Sequence, residues 1–148
     1  MHLSLSDEEI NTTFISTIGI DYRFCIIDYQ GSKLEIQIWN CAVKKFWEIP
    51  PRYYRGADGI LLVYDTTNRE TFTNIQKWID FIKRNQQQDD VVRMLIGNRS
   101  NSGANIVITT EQGQKFADEN RMKFIETNVE ENINIDLALM MVRDQKPR

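Results

Sequence analysis

The chain contains 148 residues, of which 41% are hydrophobic and 26% are charged, and its formal net charge is −3 at pH 7. This length and composition predict one globular domain and exclude collagen-like, coiled-coil and wholly disordered chains. The acidic balance and the lack of a basic stripe argue against nucleic acid as a partner and against simple electrostatic attraction to anionic lipid. No apolar run approaches the ~20 residues that cross a bilayer.

The residue types that carry most metal and nucleophile chemistry are scarce. There are two cysteines, Cys25 and Cys41, and one histidine, His2. Their spacing matches no zinc motif, and we expect reduced thiols in a cytosolic setting. Because we expect fraying around His2, neither a Ser–His nor a Cys–His nucleophile pair is predicted.

The first half of the chain predicts an antiparallel hairpin. Residues 20–27 are rich in β-branched and aromatic types, and residues 33–39 alternate between apolar and polar side chains. The apolar positions of the second strand are Leu34, Ile36 and Ile38. Residues 29–32 between the strands suit a tight turn in which Gly31 adopts a positive φ. We expect one face of this hairpin to be buried.

The second half predicts a different architecture. Residues 59–65 and 91–97 are nearly continuous apolar runs, which are typical of strands buried on both faces of a parallel sheet, and residues 122–126 form a shorter third run. Helical segments lie between and after these runs. Alternation of strands and helices predicts an α/β layered domain with right-handed crossovers.

Three helices are predicted from capping patterns and apolar spacing. Thr67-x-x-Glu70 and Thr109-x-x-Gln112 are each typical of a capping box at the start of a helix. The first helix carries an apolar stripe of Phe72, Ile75, Trp78, Ile79 and Ile82. The C-terminal helix is marked by Ile133, Leu137, Met140 and Met141. These stripes favour core packing over a ligand-binding role.

Ligands of open α/β sheets bind where the strands end at their carboxyl side. The corresponding segments are residues 39–41, 64–65, 97–101 and 126–128. We therefore expect any chemistry of this chain to lie in these segments.

A resemblance to a known family is carried by residues 14–22, 37–39, 53–65, 126–127 and 132–133. In these stretches the sequence resembles Rab small GTPases of the Ras superfamily, the group that acts in exocytic and endosomal vesicle traffic. Residues 14–22 resemble the first switch and the strand after it, and residues 37–39 resemble the strand that enters the second switch. Residues 53–65 are similar to the stretch after that switch. The motifs 126–127 and 132–133 fit the end of the domain. The resemblance extends from about residue 11 to residue 144 and implies a single Rab-like GTPase-type domain over residues 1–148.

The resemblance implies a small-GTPase-like α/β fold of the P-loop NTPase type, with a mostly parallel sheet and one antiparallel hairpin. The phosphate-binding motif G-x-x-x-x-G-K-[ST] is absent, because no glycine of this sequence precedes a lysine. Compared with the family, we expect the first strand, the P-loop and most of the first helix to be lacking. Three outcomes of that loss stay open: the two strands left unpaired pair directly, another chain donates a strand as a partner or by self-association, or the protein is unstable.

The second switch also departs from the family pattern Asp-Thr-Ala-Gly-Gln, since this chain has Asn40-Cys41-Ala42-Val43-Lys44. Asn40 offers no charge to magnesium, and the β-branched Val43 replaces a glycine that approaches the γ-phosphate. Lys44 stands where the family's glutamine orients the attacking water, and a charged lysine has no acceptor for that task. No catalytic residue is therefore predicted.

The base-binding motifs are altered as well. The family's Asn-Lys-x-Asp is Asn98-Arg99-Ser100-Asn101 here, and Asn101 presents an amide where the aspartate accepts from guanine. The family's Ser-Ala-Lys is Asn128-Val129-Glu130, which reverses a charge beside the nucleotide. The residual nucleotide positions are Thr17, Asn98 and Asn101, and Thr17 is also the residual magnesium position. We expect no cofactor.

The partner-binding positions of the family are, by contrast, present. Rab proteins contact effectors through three aromatic residues near the switches, and the matching positions are Tyr22, Trp39 and Tyr53. Beside them lie Ile18, Gly19, Ile20 and Asp21. Buried aromatic side chains are the usual anchors of protein interfaces. These residues predict a pseudoGTPase that binds Rab effectors or regulators.

Two alternatives stay open at this point. The first is a GTP-binding and GTP-hydrolysing Rab switch, with magnesium, whose sequence is incomplete. The second is that the aromatic residues only pack the domain surface, or that the chain is a non-functional relic. No cysteine stands at the C-terminus, so we expect no direct lipid anchor. We expect a cytoplasmic protein that reaches membranes, if at all, through its partners.

Overall fold

The structure is a computed structural model that describes residues 11–15, 20–41, 50, 54–85, 91–99 and 105–145, and it gives the backbone alone for residues 11–15, 20, 21 and 41. The elements are β1 (Asn11–Ile15), β2 (Ile20–Tyr29), β3 (Ser32–Cys41), β4 (Gly59–Asp65), α1 (Arg69–Asn85), β5 (Val92–Asn98), α2 (Thr110–Glu119), β6 (Lys123–Thr127) and α3 (Ile135–Gln145). They form two compact units, one of β1–β3 and one of the elements from β4 to α3.

The first unit is an antiparallel sheet of three strands in the order β1-β2-β3. Its β2–β3 hairpin places Tyr22 opposite Trp39 and Tyr29 opposite Ser32. The turn between the strands has positive φ at Gln30 (49°) and Gly31 (78°), as a two-residue type I′ turn requires. The predicted hairpin and its turn are confirmed.

Alternation along the hairpin separates two faces. On one face Cys25 is only 3% exposed, and Leu34, Ile36 and Ile38 are half-buried beside it. On the other face Ile26 and Trp39 are 39% and 40% exposed. β1 was not predicted, although its Thr and Ile content suits a strand, because five residues give too short a pattern to recognise.

The second unit is a parallel sheet in the order β4-β5-β6. Leu62 of β4 lies opposite Leu95 of β5, which lies opposite Phe124 of β6. The predicted α/β class, with its parallel sheet and antiparallel hairpin, is confirmed. The single domain that was predicted over residues 1–148 stays a prediction.

Helices cover both faces of the parallel sheet. α1 and α2 pack on one face through Ile75, Ile79 and Ala117, and α3 packs on the other through Ala138. β5 is buried on both faces, as predicted, whereas Val63 of β4 is 36% exposed. Within the second unit β4 is an edge strand, so it receives less cover than β5.

Hydrogen bonds at the helix starts correct one prediction. Thr109 and Gln112 form the predicted capping box of α2. α1 is capped differently, because Asn68 accepts from the Glu70 amide through Oδ1 at 3.0 Å. Thr67 instead donates from its hydroxyl to Asp65 Oδ1 at 2.7 Å, so the predicted box at Thr67 is wrong. Asparagine caps a helix as well as threonine does, and the pattern alone did not distinguish them.

Candidate functional site

The carboxyl ends of the three parallel strands meet at one edge, as the alternation of strands and helices predicts. The register places Asp65 of β4 opposite Asn98 of β5, and Asn98 opposite Thr127 of β6. The loops that follow these three residues therefore start side by side. This strand-end edge is the first candidate site.

Asn98, a predicted nucleotide position, is bonded within the fold. Its Oδ1 accepts from the Thr127 hydroxyl at 3.2 Å, and its carbonyl accepts from the Thr66 amide at 3.0 Å. Thr66 and Thr127 are almost completely buried. The side-chain oxygen of Asn98 thus joins β5 to β6.

Arg99 links three elements at this edge. Its backbone amide donates to the Thr127 carbonyl at 2.8 Å, and its guanidinium lies 2.8 Å from Glu126 Oε2. The same guanidinium donates to the Thr110 hydroxyl at 3.2 Å, and that hydroxyl donates to Glu126 Oε1 at 2.8 Å. We call these three side chains the Arg99–Glu126–Thr110 cluster. It fastens the end of β5 to β6 and to the start of α2.

Tyr64 lies beneath the cluster and is 1% exposed, and its hydroxyl has no hydrogen-bond partner. Burial raises its pKa to about 12, with a further raising effect from the Glu126 carboxylate and an opposing one from Arg99. The hydroxyl fits because two glycines face it. A Cβ at Gly113 would lie 2.4 Å from Tyr64 Oη, and one at Gly97 would lie 2.8 Å from it.

The loop after β6 closes on itself. Asn128 and Ile133 exchange both backbone hydrogen bonds, at 3.1 and 2.9 Å, and Asn128 Oδ1 accepts from the Glu131 amide at 3.1 Å. Asn134, with a positive φ of 61°, donates through Nδ2 to the Glu126 carbonyl at 2.8 Å. The residues that align with the family's second base-binding motif therefore lie in a compact turn.

The second candidate site lies on the hairpin of the other unit. Tyr22 and Trp39 face each other across β2 and β3, with ring centroids 4.6 Å apart and planes inclined at 49°. Tyr22 is half-buried, while Trp39 is 40% exposed. The next residue of β3 is Asn40, which is exposed. The structure thus brings together two members of the predicted aromatic set.

Some of the predicted site residues lie outside the described ranges. They are Thr17, Ile18, Gly19, Val43, Lys44, Tyr53 and Asn101. Ile20 and Asp21 are described by their backbone, which pairs with Cys41 and Asn40 of β3. For these positions the predicted roles stay predictions.

The Arg99–Glu126–Thr110 cluster was missed by sequence reasoning. One signal was available, because Arg99 follows one predicted parallel strand and Glu126 ends another. Opposite charges at the same end of neighbouring strands are placed to form an ion pair. Thr110 had no such signal, since its position depends on how α2 packs.

Comparison with known proteins decides the family. A model of the Ras family matches residues 1–147. The chain is 43% identical over 134 residues to Ras-related protein Rab-10 of Caenorhabditis elegans, which covers 90% of this chain and 66% of the relative. It is 41% identical over 145 residues to Ras-related protein Rab-8A of Gallus gallus, with 97% and 70% covered. This chain belongs to the Rab group of the Ras family.

A third relative, Ras-related protein Rab-13 of Bos taurus, is 40% identical over 137 residues, with 92% of this Rab chain and 67% of the relative covered. The chain thus spans about two thirds of the length of the Rab proteins it matches. The Rab-type small GTPase assignment made from the sequence is confirmed.

Two further observations apply to the described part of this Rab chain. There, no group of three or more histidine, cysteine, aspartate or glutamate side chains is placed to hold a metal ion. Among the helices in those ranges, none combines the length and apolar character needed to cross a bilayer.

Proposed function

We propose that this Rab-family chain does not bind or hydrolyse GTP in the manner usual for the family, and that it acts by binding Rab effectors or regulators. The observation that carries the proposal concerns two adjacent residues of β3. Trp39 keeps the family's aromatic character and is 40% exposed. The next residue, Asn40, replaces the aspartate that orders magnesium in the family. The partner-binding position is retained while the metal-ordering one is changed.

The metal side of the nucleotide site supports the proposal. The amide of Asn40 is neutral, whereas magnesium prefers charged oxygen ligands. Val43 and Lys44 replace the glycine and glutamine that the family uses at the γ-phosphate and the attacking water. These residues fit a magnesium-bound triphosphate poorly, and no catalytic step is assigned to them.

The residues at the family's guanine-binding positions also support the proposal. The Asn98 side-chain oxygen accepts from Thr127, and the Arg99 guanidinium is ion-paired with Glu126. Asn101 replaces an aspartate, and a buried donor facing a donor costs about 1–3 kcal/mol. Glu130 places a negative charge where the family has a lysine. These changes together lower the expected affinity for guanine nucleotides.

The partner side rests on the Tyr22–Trp39 pair. Its rings lie in contact across two strands, which holds the exposed Trp39 in a fixed orientation. A preorganised aromatic side chain makes an effective interface anchor, because little conformational entropy is lost on binding. We propose that Tyr53 and residues 18–21 also contact partners. Through such partners the chain would reach membranes.

A nucleotide titration tests the proposal. We expect the purified, folded chain to show no saturable binding of mant-GTP or mant-GDP at micromolar concentration with magnesium present. A thermal melt followed by circular dichroism accompanies the titration, since a non-functional relic predicts no cooperative transition. Magnesium-dependent binding at micromolar affinity or tighter would contradict the proposal and favour a GTP-binding switch.

A further inference from the structure

We propose that the outer edge of β4 binds an extended segment of a partner protein as an added strand, with apolar side chains along its length and a basic residue beside Asp65. Such a contact goes beyond the proposed function, because β4 lies in the second unit and the Tyr22–Trp39 pair lies in the first. We define the outer edge of β4 by the backbone groups of Gly59, Leu61 and Val63 that point away from β5.

Hydrogen bonds at both ends of β4 determine which of its backbone groups face outward. The Asp58 carbonyl accepts from the Val92 amide at 3.3 Å, and the Thr66 amide donates to the Asn98 carbonyl at 3.0 Å. The backbone groups of successive strand residues point to opposite sides. The even-numbered residues between Asp58 and Thr66 therefore bond to β5, and the odd-numbered ones face the outer edge.

The outer edge ends at Asp65, because the Asp65 amide donates to the Thr71 hydroxyl oxygen at 2.9 Å. Before that residue, no strand or side chain in the described part of the chain bonds to the outward groups of Gly59, Leu61 and Val63. A sheet edge with such a row of amides and carbonyls is a template for pairing with another chain.

The far edge of the same sheet is protected, in contrast. β6 is shorter, and its outward Glu126 carbonyl accepts from Asn134 Nδ2 at 2.8 Å. Just beyond it, Asn128 exchanges both backbone hydrogen bonds with Ile133. The sequence of β4 from Gly59 to Tyr64 contains none of the charged side chains or prolines that discourage pairing at natural edges. The β4 edge is therefore the one that is suited to extend the sheet.

Side chains along the outer edge favour an apolar partner strand. Val63 is 36% exposed, and Leu61 on the same face is half-buried. On the other face Ile60 is half-buried and Leu62 is buried. An added strand would place its own side chains beside these residues on both faces. Addition of a strand to an exposed edge is a recurring mode of peptide recognition.

Charge favours a different protein over a second copy of this chain. Asp65 shares a face with Leu61 and Val63, and among the described residues it forms no ion pair. Its Oδ1 accepts from the Thr67 amide and hydroxyl at 2.8 and 2.7 Å. If β4 paired antiparallel with a copy about Leu61, Ala57 of the copy would lie opposite Asp65 and supply no positive charge. A partner strand with lysine or arginine at that position complements the carboxylate.

Amide hydrogen exchange, measured by NMR, tests whether the outer edge is open. In the free chain we expect the Leu61 and Val63 amides to exchange at least about tenfold faster than the Leu62 amide, which donates to β5. Equal protection of the three amides in a monomeric chain would overturn the inference, because another segment of the chain would then already cover the edge.

Three labelled peptides with blocked termini test for the added strand. Each has seven residues, the length of β4, and spans about 23 Å when extended. The first carries β-branched apolar residues between two terminal lysines, so that either strand direction places a lysine beside Asp65. The second has glutamate at both ends, and the third has the lysines but a central proline.

The three peptides should differ in affinity. We expect the lysine peptide to bind in fluorescence anisotropy and to slow exchange of the Leu61 and Val63 amides. The glutamate peptide should bind at least about tenfold more weakly because it repels Asp65, and the proline peptide should do so because it lacks a donor in the ladder.

Variants of the chain locate the contact. Val63→Lys places a charge at the outer edge and should weaken binding of the lysine peptide about tenfold or more. Val107→Lys is the matched control, because Val107 is 37% exposed in the same unit and lies outside β4. Asp65→Asn keeps an acceptor for Thr67 and should reduce the preference for lysine over glutamate about tenfold. Thermal melts check that each variant folds.

Four results would overturn the inference. The folded chain fails to bind the lysine peptide, or Val63→Lys binds it as tightly as the wild type does. The proline peptide binds as tightly as the lysine peptide, in which case the contact is not strand pairing. Analytical ultracentrifugation shows a dimer that Val63→Lys dissociates, in which case the occupant is a second copy.

Discussion

Arg99 and Glu126 meet at the carboxyl ends of β5 and β6, with the guanidinium 2.8 Å from the carboxylate. Thr110 completes the contact by bonding to both, so residues that are distant in the sequence share one polar cluster. The cluster lies at the carboxyl ends of the strands, where α/β folds usually bind ligands, and here it joins structural elements to one another.

Replacing Glu126 tests what the cluster contributes. Glu126→Gln removes the charge that Arg99 faces, while it keeps the size of the side chain. We expect the free energy of unfolding to fall by about 0.5–1.5 kcal/mol, because the carboxylate is only 18% exposed but Arg99 is 44% exposed and partly screened. Urea unfolding measures the change. Glu119→Gln is the control, since the exposed Lys115–Glu119 pair at 3.9 Å should contribute almost nothing.

Gly113 should not tolerate a side chain. Alanine normally favours a helix over glycine, yet a Cβ here would lie 2.4 Å from Tyr64 Oη and 2.6 Å from Phe124 Cζ. We expect Gly113→Ala to lower the free energy of unfolding by about 1–3 kcal/mol through overpacking. Gln114→Ala, at an exposed position of the same helix, should cause little loss. Equal or higher stability of Gly113→Ala in a thermal melt would show that α2 does not pack this closely.

Tyr64 provides a pH-dependent test. Its folded-state pKa of about 12 is above the usual 10.0, so the fold favours the protonated side chain over the phenolate. This contribution is complete below pH 10 and declines as the pH rises towards 12, because the unfolded chain loses the proton first. We expect Tyr64→Phe to lose less stability than the wild type between those limits. The measurement is urea unfolding at several pH values. If the free energy of unfolding falls equally with pH in the two proteins, the expectation is refuted.

The same substitution bears on the unpaired hydroxyl. Because Tyr64 Oη is buried without a partner, its removal should raise the free energy of unfolding near neutral pH by about 1 kcal/mol. The phenylalanine should also relieve part of the damage in Gly113→Ala, since one of the two clashing groups is gone. A double-mutant cycle measures this coupling, and strict additivity would argue against contact between the two positions.

Two substitutions of Asn134 distinguish the cost of backbone strain from the cost of a lost hydrogen bond. It has a φ of 61° and donates to the Glu126 carbonyl at 2.8 Å. Asn134→Ala loses both the bond and a residue type that tolerates positive φ, so we expect a loss of about 1–3 kcal/mol. Asn134→Gly loses only the bond and should be less damaging. If alanine proves as good as glycine in chemical unfolding, the backbone is not in the left-handed region.

Local patterns were enough to predict much of the fold. Alternating residues 33–39 with Gly31 before them predicted the hairpin, and the apolar runs predicted β4 and β5. The capping box at Thr109 was confirmed, whereas Asn68 rather than Thr67 caps α1. Several side chains compete to cap a helix with similar energies, so a pattern alone cannot choose among them. β1 was missed because its pairing with β2 depends on contact between segments rather than on its own short sequence.

The sequence by itself determined the family. It also predicted which aromatic residues contact partners and which metal and base positions are altered, because these inferences depend on residue identity. Only the tertiary structure decided that Asn98 is bonded to Thr127 and that Arg99 is paired with Glu126. It also decided that the rings of Tyr22 and Trp39 lie in contact across β2 and β3. These relationships depend on strand register and on distances between segments far apart in the chain, and such distances arise only when the chain folds.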